Sequence, residues 1–64
     1  MEALLKSIAE HHNAEVFKVD NVWIVSSENE FWDYYDLMEI FDGAGFTVGE
    51  GVDLNGEDVL VVSL

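Results

Sequence analysis

The side chains best suited to chemistry in this chain of 64 residues are carboxylates. Fourteen Asp and Glu residues stand against two lysines, which gives a net charge of −12. Eleven of these acids, and no lysine or arginine, lie between Val19 and Leu64. Because that segment holds no basic partner of its own, its acids must face water or a basic surface on another molecule.

Carboxylates alone do not make a catalytic site. Nucleophilic catalysis needs a Ser or Cys beside a His base, and the chain has no cysteine and only two histidines, His11 and His12. Neighbouring residues of a helix point about 100° apart, so these two rings do not converge on one substrate atom or metal ion. We therefore expect a protein that is not an enzyme and that holds no metal and no cofactor.

The net charge also restricts the partners and the location. A chain at −12 repels phosphate groups, so we do not expect it to bind nucleic acid or an anionic membrane directly. No apolar run approaches the ~18 residues of a membrane span, and the N-terminus lacks the pattern of a signal peptide. These features predict a cytoplasmic protein, in the cytoplasm of the host if a virus encodes it.

The periodicity of the apolar residues predicts six elements in the order αββαββ. Four antiparallel strands with two helices on one face make a two-layer α+β fold, which we expect to form a single domain over residues 1–64. Strands 22–26 and 59–63 are similar, which suggests a pseudo-repeat of residues 1–26 and 27–64. The predicted helices are 2–12 and 27–42, and the predicted strands are 14–19, 22–26, 46–54 and 58–64.

Helix ends and turns have local signals. Asn13 suits a left-handed end for the first helix, and Ser27 with Glu30 matches a capping box at the start of the second. The second helix should end at Gly43, where left-handed backbone costs nothing.

Two dipeptides predict the hairpin turns. Asp20-Asn21 suits a two-residue turn between the first two strands, and Asn55-Gly56 marks the turn of the second hairpin.

With both helices on one face, the other sheet face stays open. A large exposed apolar patch marks an interface, so we predict that this face makes a homodimer. Lys18 lies across from Trp23 in the predicted register and can cover its ring by a cation–π contact. The residues predicted for self-association are Val16, Lys18, Trp23, Val25, Leu60 and Val62.

The second helix also presents a candidate binding surface. Its acids recur every three residues, a rise of roughly 4.5 Å, which is comparable with the ~3.4 Å rise per phosphate of a DNA strand. Aromatic side chains among charges are typical of binding hot spots. The predicted partner-binding residues are Trp32, Asp33, Tyr35, Asp36, Glu39 and Asp42.

Three hypotheses explain this surface. The first is a small acidic protein-binding module, in its sharpest form an inhibitor that mimics nucleic-acid phosphates and blocks a basic site. Its partner would be a protein with a basic surface, above all a nucleic-acid-processing enzyme. The second is an acidic face that serves solubility only. The third is a salt-adapted structural or dimeric domain without mimicry, although an apolar content of 50% is high for such proteins.

A salt series separates the third hypothesis from the others. Self-repulsion is screened within a Debye length of ~8 Å at physiological ionic strength. An ordinary acidic binder should therefore be folded in about 0.15 M salt and gain little at about 2 M, as measured by circular dichroism. A chain that is unfolded in the first buffer and folds only in the second would be salt-adapted.

Overall fold

A computed structural model describes residues 1–29 and 31–64 and confirms the α+β class. Its four strands form one antiparallel sheet in the order β1-β2-β4-β3. The elements follow the predicted order αββαββ, and their bounds are α1 Glu2–His11, β1 Glu15–Val19, β2 Val22–Ser26, α2 Tyr34–Gly43, β3 Thr47–Val52 and β4 Asp58–Ser63.

The first hairpin has the predicted two-residue turn. Val19 pairs with Val22, and Asp20 adopts a φ of 54° between them. Asp tolerates this left-handed backbone better than most residues, because its short side chain bonds locally to the main chain. The turn sets the register of the whole hairpin, including the pairing of Lys18 with Trp23.

The second hairpin turns more widely than an Asn-Gly pair usually does. Val52 pairs with Asp58, so the loop spans residues 53–57. Gly56 has a φ of 79°, but the φ of Asn55 is not positive, whereas a type I′ turn needs positive φ at both positions. The Asp53 carboxylate organises the loop instead, since it accepts hydrogen bonds from the amides of Asn55 (2.8 Å) and Glu57 (2.9 Å).

The first helix ends where the sequence predicts. Asn13 takes a φ of 57°, and its amide donates to the Glu10 carbonyl oxygen at 3.1 Å. The amide of Ala14 reaches the carbonyl oxygen of Ala9 at 2.9 Å, which completes a Schellman motif. The buried Ala14 then leads directly into β1.

The second helix ends at Gly43, one residue later than predicted, and its left-handed residue comes two positions later than predicted. Gly43 is still helical, and Gly45 is the left-handed residue, with a φ of 98°. The amide of Phe46 donates to the Phe41 carbonyl oxygen at 3.1 Å, and the two rings meet edge to face. This buried aromatic contact explains why the motif closes at Gly45.

The predicted start of the second helix at Ser27 is wrong. The Ser27 hydroxyl accepts a hydrogen bond from the amide of Asn29, and the Asn29 side chain accepts one from the amide of Phe31. Such local bonds offer the backbone an alternative to the helix, which begins only at Tyr34. The Glu30 half of the predicted capping box lies outside the described residues.

The prediction of which sheet face is open is also wrong. The core contains Trp23, Val25, Leu60 and Val62, which we expected on the open face, together with Leu5, Ala9, Leu37 and Phe41 of the two helices. Val16 packs at the margin of this core, and Lys18 lies over the Trp23 ring at 5.5 Å, which confirms their cation–π contact.

The residues of β3 and β4 explain why the helices cover the sheet face that we expected to be open. Both faces of the first hairpin are apolar, so that hairpin alone does not select the covered face. By register, Val48, Leu60 and Val62 share the face of Trp23, while β3 offers Gly49 and Gly51 to the other face. The helices therefore cover the face with more apolar area to bury.

Matched leucines test this core. Leu60 is fully buried and Leu54 is fully exposed. Leu60→Ala should lower the free energy of unfolding by about 2–5 kcal/mol, whereas Leu54→Ala should change it by less than about 0.5 kcal/mol, as measured by urea denaturation. Equal effects of the two substitutions would contradict this assignment of the faces.

Candidate functional site

The outward side of α2 carries a row of carboxylates. Leu37 and Phe41 are fully buried, and this fixes the rotation of the helix on the sheet. At about 100° per residue, Asp36, Glu39 and Asp42 then point away from the core, and all three are exposed. This part of the predicted surface is therefore present as an accessible row.

Asp33 lies at the beginning of the row but has a different environment. It occupies the N-cap position of α2 without a capping hydrogen bond from its side chain. Its Oδ2 atom lies 3.9 Å from Nδ1 of the half-buried His12, so protonation of that imidazole would create an ion pair. Asp33 therefore links the row to the end of α1.

Trp32 is not the exposed anchor that the helical projection predicts. The residue precedes α2, so the projection does not apply to it. Its side chain is half-buried, packs against the core, and meets the Tyr34 ring edge to face at a centroid distance of 5.4 Å. Trp32 is therefore a partly buried side chain that packs on the core beside the start of α2.

Two other aromatic side chains are exposed instead. Tyr35 is 71% exposed in the first turn of α2, and Phe31, which is not among the predicted binding residues, is 86% exposed. We refer to Tyr35, Asp36, Glu39 and Asp42 as the acidic face.

A groove of about 340 Å³ lies beside Tyr35. Glu50 of β3 and Asp58 of β4 contribute carboxylates to it. Both lie on the helix-covered side of the sheet, because Glu50 pairs with Leu60 and Asp58 is two residues away from Leu60. The groove is lined by Tyr34, Tyr35, Glu50, Gly51, Val52 and Asp58.

The negative potential of this groove affects the pKa of Tyr34. Its hydroxyl donates a hydrogen bond to the Val59 carbonyl oxygen at 3.2 Å. Burial raises the pKa of Tyr34 above its usual value of 10.0, and the carboxylates of Glu50 and Asp58 raise it further. Burial opposes a charge of either sign, whereas the negative potential of Glu50 and Asp58 opposes a phenolate and favours a cation.

Glu50 and Asp58 are not among the residues that the sequence predicts for this surface. Their placement depends on the five-residue loop of the second hairpin, and a two-residue turn would have shifted the pairing by one residue. Asp53 was the available signal, because an Asp at the start of a loop often accepts hydrogen bonds from amides that follow it.

A second groove, of about 570 Å³, continues the acidic surface at the other side of the loop. Residues 27–29 and Trp32 form one wall, and the second hairpin forms the other. Glu28, Glu57 and Asp58 bring three carboxylates to its lining. Asp58 lines both grooves and so connects them.

Metal-ligand geometry, membrane-span character and similarity to known proteins give no functional assignment for the described residues. Among residues 1–29 and 31–64, no group of three His, Asp or Glu side chains is arranged to hold a metal ion. Neither helix in this part of the chain has the length and apolar character to cross a membrane. Comparisons with protein-family models, curated proteins and solved structures find no match.

Tyrosine substitutions test the potential in the groove. Because the pKa of Tyr34 is higher in the folded chain than in the unfolded chain, its contribution to stability is present below about pH 10 and is lost as the pH rises further. Tyr34→Phe should cost about 1 kcal/mol at pH 8 through the lost hydrogen bond, and this difference from the wild type should shrink between about pH 10 and 11. Urea denaturation at each pH measures it.

Tyr35→Phe is the control, since it removes an exposed hydroxyl from the neighbouring residue. If the difference in the free energy of unfolding between Tyr34→Phe and wild type stays constant from pH 8 to about pH 11, the environment of the groove does not raise the pKa of Tyr34.

Proposed function

We propose that this protein is a small acidic protein-binding module whose acidic face engages a basic surface on a partner protein. The observation that supports it most is the exposed ring of Tyr35 within a row of accessible carboxylates. Solubility alone accounts for the acids, but it does not account for a large aromatic side chain kept in water among them. The role requires no catalytic residue.

The charges would act mainly during association. Asp36, Glu39 and Asp42 lie on a molecule with a net charge of −12, so a basic partner is attracted before contact. Such steering raises the association rate and makes it sensitive to salt, while it adds little residence time. Charge therefore selects the class of partner.

The aromatic side chains would act mainly after contact. Tyr35 and Phe31 offer apolar area that loses water on binding, which slows dissociation. The groove beside Tyr35 adds Glu50 and Asp58, which suit a lysine or arginine side chain of the partner. Stacking of that cation on the Tyr35 ring would add a cation–π contact.

The partner we favour is a nucleic-acid-processing enzyme. Proteins of this class have large basic grooves. Acids that are spaced by roughly 4.5 Å along α2 can occupy positions that phosphates otherwise take. In this form the protein is an inhibitor that mimics nucleic-acid phosphates. The two proteins would meet in the cytoplasm, and in the cytoplasm of the host if a virus encodes this chain.

The test begins with capture of the partner from a lysate and then measures binding to the purified partner. Asp36→Lys with Glu39→Lys should weaken binding about tenfold or more and flatten its salt dependence. Tyr35→Ala should mainly raise the dissociation rate, as measured by surface plasmon resonance. Duplex DNA should compete with the wild-type protein.

The control is Glu10→Lys with Glu15→Lys, which changes the net charge by the same amount at exposed positions on α1 and β1. It should leave the affinity within about threefold. If both double variants weaken binding equally, net charge alone explains the interaction and the acidic face is wrong as a site. If DNA does not compete, phosphate mimicry is wrong.

A further inference from the structure

The sheet face opposite the helices carries apolar side chains without a covering layer. The buried Val59 of β4 lies on this side. By register, the apolar residues there that are exposed or partly exposed are Phe17 and Val19 of β1, Val22 and Ile24 of β2, and Val61 of β4. Phe17 is 56% exposed, Val19 is 50% exposed, and the other three are partly exposed. We refer to these five residues as the open sheet face.

Charge is nearly absent from this side of the sheet. The charged strand residues are Glu15, Lys18, Glu50 and Asp58, and the structure describes all four strands. The register places Lys18, Glu50 and Asp58 on the helix-covered side and only Glu15 on the open side. Both helices and their acids also lie on the covered side. The molecule therefore separates an acidic layer from an almost uncharged one.

The edge strand β3 contributes little side-chain volume to this side. Thr47, Gly49 and Gly51 are its residues on the open side. A Cβ atom at Gly51 would touch the methyl groups of Val61 and Val59, at 3.3 and 3.5 Å. At Gly49 it would meet nothing nearer than the Val61 carbonyl oxygen at 4.0 Å. Glycine within a strand often marks a place where another backbone approaches.

We propose that a second copy of this chain covers the open sheet face, so that two sheets pack face to face in a homodimer. A basic partner finds almost no acid here, whereas a second copy presents the same uncharged apolar surface, as a two-fold interface requires. Packed sheets lie ~10 Å apart, and each helix layer lies beyond its own sheet. The two acidic layers are then farther apart than the ~8 Å Debye length, which limits their repulsion.

The area of the face predicts a weak dimer. Four strands of about five residues measure roughly 19 by 17 Å, or about 320 Å² of flat area per copy. A standard interface buries ~800 Å² per partner, so this one belongs with the weak, concentration-dependent class. Both acidic faces stay accessible, and the dimer can therefore bind its basic partner at two places.

Sedimentation equilibrium from about 5 to about 500 µM tests the dimer over the range that a weak interface needs. The mass of the wild type should rise from 7.2 kDa toward twice that value. Phe17→Lys and Gly49→Lys should each weaken association about tenfold or more, because each places a charge in an apolar contact. Both positions are exposed, so both variants should retain the wild-type circular-dichroism spectrum.

Leu54→Lys and Gly43→Lys are matched controls. Each makes the same substitution, with the same change in net charge, at an exposed position outside the open sheet face. Both should leave the dimer within about threefold of wild type. Asp36→Lys with Glu39→Lys should not weaken it either, which separates this inference from the proposed function of the acidic face.

Salt gives an independent check. Added salt should tighten the dimer, because it screens repulsion between two copies of like charge, whereas it should weaken binding to a basic partner. A chain that stays at 7.2 kDa at every concentration would overturn the proposal. So would a dimer that resists both Phe17→Lys and Gly49→Lys, or one that the matched controls weaken equally.

Discussion

The burial of one sheet face under two helices is the interaction on which the rest of the molecule depends. A chain of 64 residues without cysteine has little else to hold it together. This packing fixes the rotation of α2 and thereby turns its acids to water. The side chains that meet in it are Leu5 and Ala9 of α1, Leu37 and Phe41 of α2, and Trp23, Val25, Leu60 and Val62 of the sheet.

Features set by a few neighbouring residues were predictable from the sequence. Asp20 and Asn13 both take the left-handed backbone that their residue types suggest, and they define the first hairpin and the end of α1. The start of α2 was not predictable in this way. The Ser27 hydroxyl suits either a capping box or the turn that it forms with Asn29 in the structure. These two sets of hydrogen bonds compete, and the sequence does not say which one prevails.

The surface was only partly predictable, because it depends on how distant parts of the chain meet. Periodicity placed Asp36, Glu39 and Asp42 outward, since Leu37 and Phe41 mark the inner side of the same helix. It failed for Trp32, which precedes the helix. It also failed for the sheet, where alternation describes two apolar faces equally well and only the summed area of all four strands decides between them.

The strand order has a consequence for how the chain folds. Each helix is followed by its own hairpin, so each half of the chain can begin to form locally. The halves meet at the pairing of β2 with β4, where Ile24 lies opposite Val61. Pairing β2 with β4 joins residues separated by more than half the chain. The entropy cost of closing this loop is offset only when the shared core forms. Neither half has a complete core alone, so the domain should unfold as one cooperative unit.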